Sequence, residues 1–378
     1  MTAPGDLCPC NSGKTLADCH RDPRWIPSPE AHARAVAALE AHERSERERI
    51  EEFGHLKPII HTDFDGKKIV AVGNTVHYSD KWRTFPDFLS SFIKTKIPES
   101  WYKSELAKLP TDRHPMVQWY VNLCEFQARH TKRNDDGLFF GEPDGPSLAF
   151  LALAHELFIL EADQLLQSKL IARLLHIDQF QGARYEVTVA STMIRAGFTL
   201  TMEDESDSST PHPEFIATHR ATGVRVAVEA KSRHRAGVLG RSGTLEVGGN
   251  LADDLQGLFR KALRKTNDLP LFVFIDANLP SDVALAMSSG FAAQFQSMVS
   301  KVAQPINEHG IVVGHPHNLL MVTNIPFHYG VPGDSLPPPL FYSHWPAPEY
   351  CRHPVAAVLI RAVEHSLSLC GKIPNEFG

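Results

Sequence analysis

In the stretch GVRVAVEAKSRHR, residues 223–235, a carboxylate and an amine stand two positions apart, at Glu229 and Lys231. Val224, Val226, Val228 and Ala230 alternate with Arg225, Ala227, Glu229 and Lys231, a period of two that marks a half-buried strand. Glu229 and Lys231 therefore point the same way. The preceding EFIA, residues 214–217, and the turn HRATG, residues 219–223, supply the other arm of a hairpin. If that hairpin is symmetric about the bond between Ala221 and Thr222, Glu214 lies opposite Glu229. Facing like charges destabilise a sheet, so the pair calls for a cation. A hard divalent ion, Mg²⁺ or Mn²⁺, bridged by the two carboxylates and completed by water, supplies one. Lys231 on the same face is placed to orient an attacking water and help deprotonate it.

Glu186, in RYEVTVASTMIRAGF at residues 184–198, adds a third carboxylate. On a helix it shares a face with Ala190, Met193 and Gly197, the side that packs on a sheet. It reads either as a member of the acidic cluster or as a first-turn glutamate stabilised by the helix dipole. The run Glu203, Asp204, Glu205 and Asp207 reads as a second metal site or as a solvated loop. His212 lies two residues before Glu214, on the same side of an extended chain. Between residues 220 and 241 six Arg or Lys accompany one acid, Glu229. A helix expected over residues 251–265 carries Gln256, Arg260, Lys261, Arg264 and Lys265. Arg233, Arg235, Gln256, Arg260 and Lys261 are the expected contacts to a phosphate backbone, with solvated charge as the alternative.

A second chemical group stands near the start. CPCNSGKTLADCH supplies Cys8, Cys10, Cys19 and His20, a complete tetrahedral set for a structural zinc. The segment is almost without apolar residues, so the metal would contribute most of its folding free energy. Its NSGKT imitates the end of a phosphate-binding loop, but that pattern needs glycine where Cys8 stands and a preceding strand, so nucleotide hydrolysis is rejected. In ligand type and spacing the segment resembles the SEC-C motif. The resemblance implies a small interaction or tethering module for a protein partner. A filled tetrahedral site leaves no open position for catalysis.

The elements that must hold these residues are legible in outline. The chain has 378 residues, 43% hydrophobic and 22% charged, with a formal net charge of −6. That composition is globular and excludes a global basic field, so any contact with nucleic acid must be local. No apolar run approaches the roughly 20 residues of a membrane span, and a cytoplasmic location is expected. An exposed helix is expected over residues 29–53, and a hairpin turning at Gly73-Asn74. Residues 84–178 read as mostly helical, with a long apolar segment over residues 147–177. A helix over residues 181–196 follows, then a strand at Phe198–Met202 and the hairpin at residues 214–231. After the helix at residues 251–265 come strands at residues 271–277 and Leu319–Asn324, flanking another helix over residues 282–303. A proline-rich tail and a last helix over residues 354–367 complete the chain.

Together Glu186, Pro213-Glu214 and Glu229-Ala230-Lys231 resemble the PD-(D/E)xK nuclease superfamily, across residues 178–280. The resemblance implies an α/β fold, a restriction-endonuclease-like mixed sheet flanked by helices, preceded by a mostly helical region and the zinc module. It divides the chain into residues 1–24, 25–178, 179–330 and 331–378. It implies Mg²⁺-dependent cleavage of nucleic acid, DNA rather than RNA. Glu214 and Glu229 would bind the metal with the Ala230 carbonyl, Glu186 would orient the cluster, and Lys231 would support the nucleophile. One departure stands out: the first acid of that family is usually aspartate, and here it is Glu214. A binding or adaptor protein that keeps the nuclease fold without catalysis is the alternative.

Overall fold

The computed structural model describes residues 7, 13–15, 18–19, 29–129, 133, 135, 137–138, 141–202, 213–243, 251–265, 268–279, 296–297, 299–301, 314–330 and 339–377. The chain divides into two compact units, Met1–Glu52 and Phe53–Gly378. In the first, Leu7 and Thr15 form an antiparallel bridge, and the Cys19 amide donates to the Thr15 carbonyl at 2.9 Å. Helix α1, Pro29–Phe53, buries none of its residues, as its alanine- and glutamate-rich composition leads one to expect.

The second unit begins with a three-stranded antiparallel sheet, β1 (Ile60–Phe64), β2 (Lys67–Val72) and β3 (Thr75–Ser79). The expected hairpin is present: Val72 pairs with Thr75, and Gly73 takes φ +55°. A Cβ at Gly73 would stand 2.6 Å from the Glu161 carbonyl oxygen, so glycine is required there for space as well as conformation. β1 is an addition to the expected hairpin.

Helices α2 (Phe85–Thr95), α3 (Glu99–Leu106), α4 (Pro115–Arg129), α5 (Gly145–Ala162), α6 (Ser168–Leu175) and α7 (Ile177–Arg195) follow. α2 starts at a capping box, with Thr84 and Asp87 each accepting from the other's amide. The long apolar segment is broken after Ala162, where Gln164 adopts φ +59°. α5 is buried on nearly every side, which is what a helix apolar all round requires. By length and composition it would also suit a membrane; here protein supplies the apolar surroundings.

One carboxylate is enclosed in that helix, alongside the buried Ser147 and His155. Glu156 is buried, accepts a hydrogen bond from the Thr188 hydroxyl at 2.9 Å, and lies near Arg195 and Arg184. Burial outweighs these partners and pushes its carboxyl up to about 7. The folded state then keeps a proton that the unfolded chain releases near the ordinary glutamate value. Stability should therefore fall as the pH rises from about 4.5 to about 7, by on the order of 3 kcal/mol, and stay level above. Glu156→Gln should flatten that slope in urea titrations run across the same pH range.

The main sheet has six strands in the order β4-β5-β6-β7-β8-β9: Phe198–Met202, Phe215–His219, Arg225–Ser232, Leu271–Asp276, Leu319–Asn324 and Leu340–His344. β4, β5 and β6 are antiparallel; β7 and β8 run parallel to β6; β9 closes the far edge antiparallel. Helix α8 (Leu251–Leu263) makes the crossover from β6 to β7, and α9 (Ala357–Ser368) follows β9. The result is a mixed α/β fold with a six-stranded sheet between helices. Two apolar clusters cover its faces. One joins Val226, Val228, Phe272 and Met321 to α5, α7 and α9; the other joins Ala227, Val273, Ile275 and Val322 to Leu255 and Phe259 of α8. The first also contains Val70 and Phe88, so the helical stretch before residue 178 and the sheet after it share a core. The helix expected over residues 282–303 lies largely outside the described residues.

Candidate active site

β6 carries the site. Its register with β5 pairs Phe215 with Val228, Ile216 with Ala227, Ala217 with Val226 and Thr218 with Arg225. That is the pairing of a hairpin centred between Ala221 and Thr222, with Gly223 at φ +70° in the turn. One step further out, past the last ladder pair of Phe215 with Val228, the Glu214 amide donates to the Val228 carbonyl at 3.1 Å, which holds Glu214 against β6 next to Glu229. Side chains alternate between the faces of a strand. Val226, Val228 and Ala230 face α7, so Glu229 and Lys231 follow Ala227 to the side of α8.

There the charges meet. Lys231 Nζ lies 3.0 Å from Glu214 Oε1, as a hydrogen bond, and also contacts Glu229 Oε1. Lys265, two residues past the end of α8, brings a second ammonium 3.4 Å from Glu229 Oε1 and 3.7 Å from Glu214 Oε1. Glu229 is fully buried, and its Oε2 has no hydrogen-bond partner among the described residues. An orphaned buried carboxylate oxygen is costly and calls for a ligand. Burial pushes the Glu229 carboxyl up; Lys231 and Lys265 oppose this and the Glu214 charge reinforces it, leaving it above the ordinary value. Burial also raises Glu214, but Lys231, Lys265 and Arg173 more than offset it, and its carboxyl lies below the ordinary value. Lys231 is held in its charged form: burial works against that, and the two glutamates more than restore it.

The other expected site residues fall in different places. Glu186 is buried on α7 and paired with Arg173 of α6 at 2.7 Å. α7 covers the sheet face opposite α8, and Arg173, the ion-pair partner of Glu186, also lowers the Glu214 carboxyl through its charge. Arg233 is buried, with its guanidinium on Asp254 Oδ2 (3.0 Å from Nε) and the Ala277 carbonyl (3.1 Å from Nη1). The structure thus gives Arg233 to the join between β6 and α8, in place of the phosphate contact expected of it. Arg235 is half-buried and donates to the Asn278 carbonyl at 3.3 Å. Gln256 is half-buried, and Arg260, Lys261 and Arg264 are exposed on α8 and the turn after it. Of the basic residues on this helix and turn, Lys265 is the one that reaches the carboxylates. Its signal was there in the basic last turn of α8, but its reach depends on the turn that follows.

Cys8, Cys10 and His20, His212, and the acids at 203–207 lie outside the described residues. Among the described residues no three His, Cys, Asp or Glu side chains form a ready metal centre. Glu214 and Glu229 together supply two hard oxygen donors, which is as many carboxylates as an Mg²⁺ site commonly takes from protein, water filling the rest. The donor set and the orphaned Oε2 fit such an ion.

Comparison with known proteins bears on the first unit. The SEC-C motif matches residues 6–22, the stretch that holds all four expected zinc ligands. Neither the curated proteins nor the solved structures give a match. The comparisons lend no support to a nuclease domain. The chain carries a SEC-C motif at its N-terminal end, and what its α/β unit does must be argued from that unit's own geometry.

Proposed function

We propose that the protein is a metal-dependent nuclease acting on nucleic acid, DNA in the first instance, with a zinc-binding SEC-C module that docks a protein partner in the cytoplasm. One observation carries the reading: Lys231 of β6 contacts the carboxylates of both Glu214 and Glu229. The order of a helix, three antiparallel strands, a helix and a parallel strand agrees with it. Glu214 and Glu229 would hold Mg²⁺ or Mn²⁺, the Ala230 carbonyl beside them. When bound, such an ion polarises the scissile phosphate and lowers the pKa of a bound water. Lys231 would orient that water from the same side of the sheet. Glu186 is left with a supporting part, holding Arg173 where its charge steadies Glu214. Exposed Arg260, Lys261 and Arg264 would take backbone phosphates. Cys8, Cys10, Cys19 and His20 would hold the zinc.

A second reading, an adaptor built on the same fold, has one observation in its favour. Ile60, Phe64, Val76 and Tyr78 stand exposed on the small sheet. Their registers place them on one face, and an exposed apolar patch is a mark of protein contact. Zinc-loaded protein incubated with labelled single- and double-stranded DNA and RNA decides between the two. Cleavage with Mg²⁺ or Mn²⁺ that stops in EDTA is expected. Intact substrate in every combination, from folded protein, would move the assignment to the adaptor.

A further inference from the structure

The acidic pair is already neutralised before any metal arrives. Glu214 and Glu229 bring two negative charges, Lys231 and Lys265 two positive ones, and each ammonium lies near both Oε1 atoms. A divalent ion added to this quartet would leave two positive charges in excess in a largely buried place. Either an ammonium leaves the carboxylates or an anion comes in.

The two lysines are not equally held. Lys231 issues from the middle of the sheet, its side chain is 20% exposed, and it makes the hydrogen bond to Glu214. Lys265 stands beyond the end of α8, 33% exposed, and its contacts at 3.4 and 3.7 Å are ion pairs without a hydrogen bond among the described residues. A lysine stem readily turns its ammonium to water. Arg264 and Lys261, exposed beside it, mark where a phosphate backbone would lie. Meanwhile Glu229 Oε2 is fully buried and has no hydrogen-bond partner among the described residues.

We propose that Lys265 is a displaceable latch: it covers the carboxylates in the metal-free protein and passes to a substrate phosphate when a divalent ion takes its place. This rests on Glu214 and Glu229 being the metal ligands. Metal and polyanion then load together, each tightening the other by the same factor, as linkage requires. The latch keeps the site from holding metal tightly when no nucleic acid is present.

Mn²⁺ binding to the full chain, followed by the electron paramagnetic resonance of the free ion, tests it without relying on cleavage. The titration is run with and without a phosphorothioate DNA duplex. Wild-type protein should bind Mn²⁺ about tenfold more tightly with the duplex present. Lys265→Met should bind it about tenfold more tightly than wild type in the duplex's absence, and gain less than about threefold from adding it. Lys265→Arg, which keeps the charge, should retain weak binding in the metal-only titration. If wild type binds Mn²⁺ and Lys265→Met binds it equally, the latch is overturned and the metal site stands. If no form binds Mn²⁺ with or without the duplex, the metal site falls and the latch with it.

Discussion

On the proposed nuclease reading, Lys231→Ala should lower metal-dependent cleavage by about 10²- to 10³-fold, the usual cost of removing one preorganised electrostatic donor, since a lysine held charged orients the water and does not take its proton. The variant removes the ammonium that makes the hydrogen bond to Glu214 and also contacts Glu229. Lys265 remains near both carboxylates, so their charge is still partly covered. Glu229, whose carboxyl burial already pushes up, takes a proton more readily and relieves the rest. The variant should consequently fold, and far-ultraviolet circular dichroism with a urea melt checks that it does. Removing an ammonium also removes a competitor for the carboxylates, so Mn²⁺ affinity should hold or rise while the rate falls. That split separates a role in chemistry from a role in holding the metal. Full activity in folded Lys231→Ala would remove Lys231 from the reaction.

Asp276→Ala should cost about 3–5 kcal/mol in stability, measured as a lower urea midpoint. Asp276 ends β7, buried, with Oδ2 2.5 Å from Arg184 Nη2 and Oδ1 accepting from the Asn278 amide at 3.1 Å. Arg184 of α7 is fully buried, and its Nη1 lies 2.9 Å from His328 Nδ1. Burial, reinforced by the Arg184 charge, holds the His328 imidazole well below its ordinary value and so neutral. Deleting the carboxylate leaves the guanidinium in the core without its ion-pair partner, with the half-neutralised Glu156 the remaining acid in its field. A whole domain is stable by only about 5–15 kcal/mol, so the loss is a large share. Replacing both partners, Arg184→Met with Asp276→Leu, should cost less than either single change, because no buried charge is then left alone. A single-variant loss under about 1 kcal/mol would mean that water reaches Arg184 and that this pair does not tie α7 to the sheet.

Some elements escaped the sequence for identifiable reasons. β1 is IHTDF, with exposed residues on most of its length, and an edge strand needs no alternation because one face and one side meet water. β9 sits inside a proline-rich tail, and proline is compatible with an edge strand. The segment 147–177 reads as one apolar run, yet Gln164 at φ +59° lets the chain leave α5 and begin α6. Local composition carries little information about such a break.

What the sequence determined by itself was the arrangement along the backbone. The alternation of Val226, Val228 and Ala230 against Ala227, Glu229 and Lys231 assigns faces, since side chains on a strand have a period of two. The turn at residues 219–223 determines the register of β5 on β6 as far as Phe215 and Val228, and so brings Glu214 to the strand that carries Glu229. Those features are local, and local physics suffices for them. Tertiary structure alone decided the fate of the long charged side chains. Arg233 went to Asp254 on α8, Glu186 to Arg173, and Lys265 rather than Arg260 or Lys261 to the carboxylates. An arginine or lysine reaches several residues from its backbone in any direction, so its partner is whatever opposite charge the packing of helix on sheet leaves within that radius.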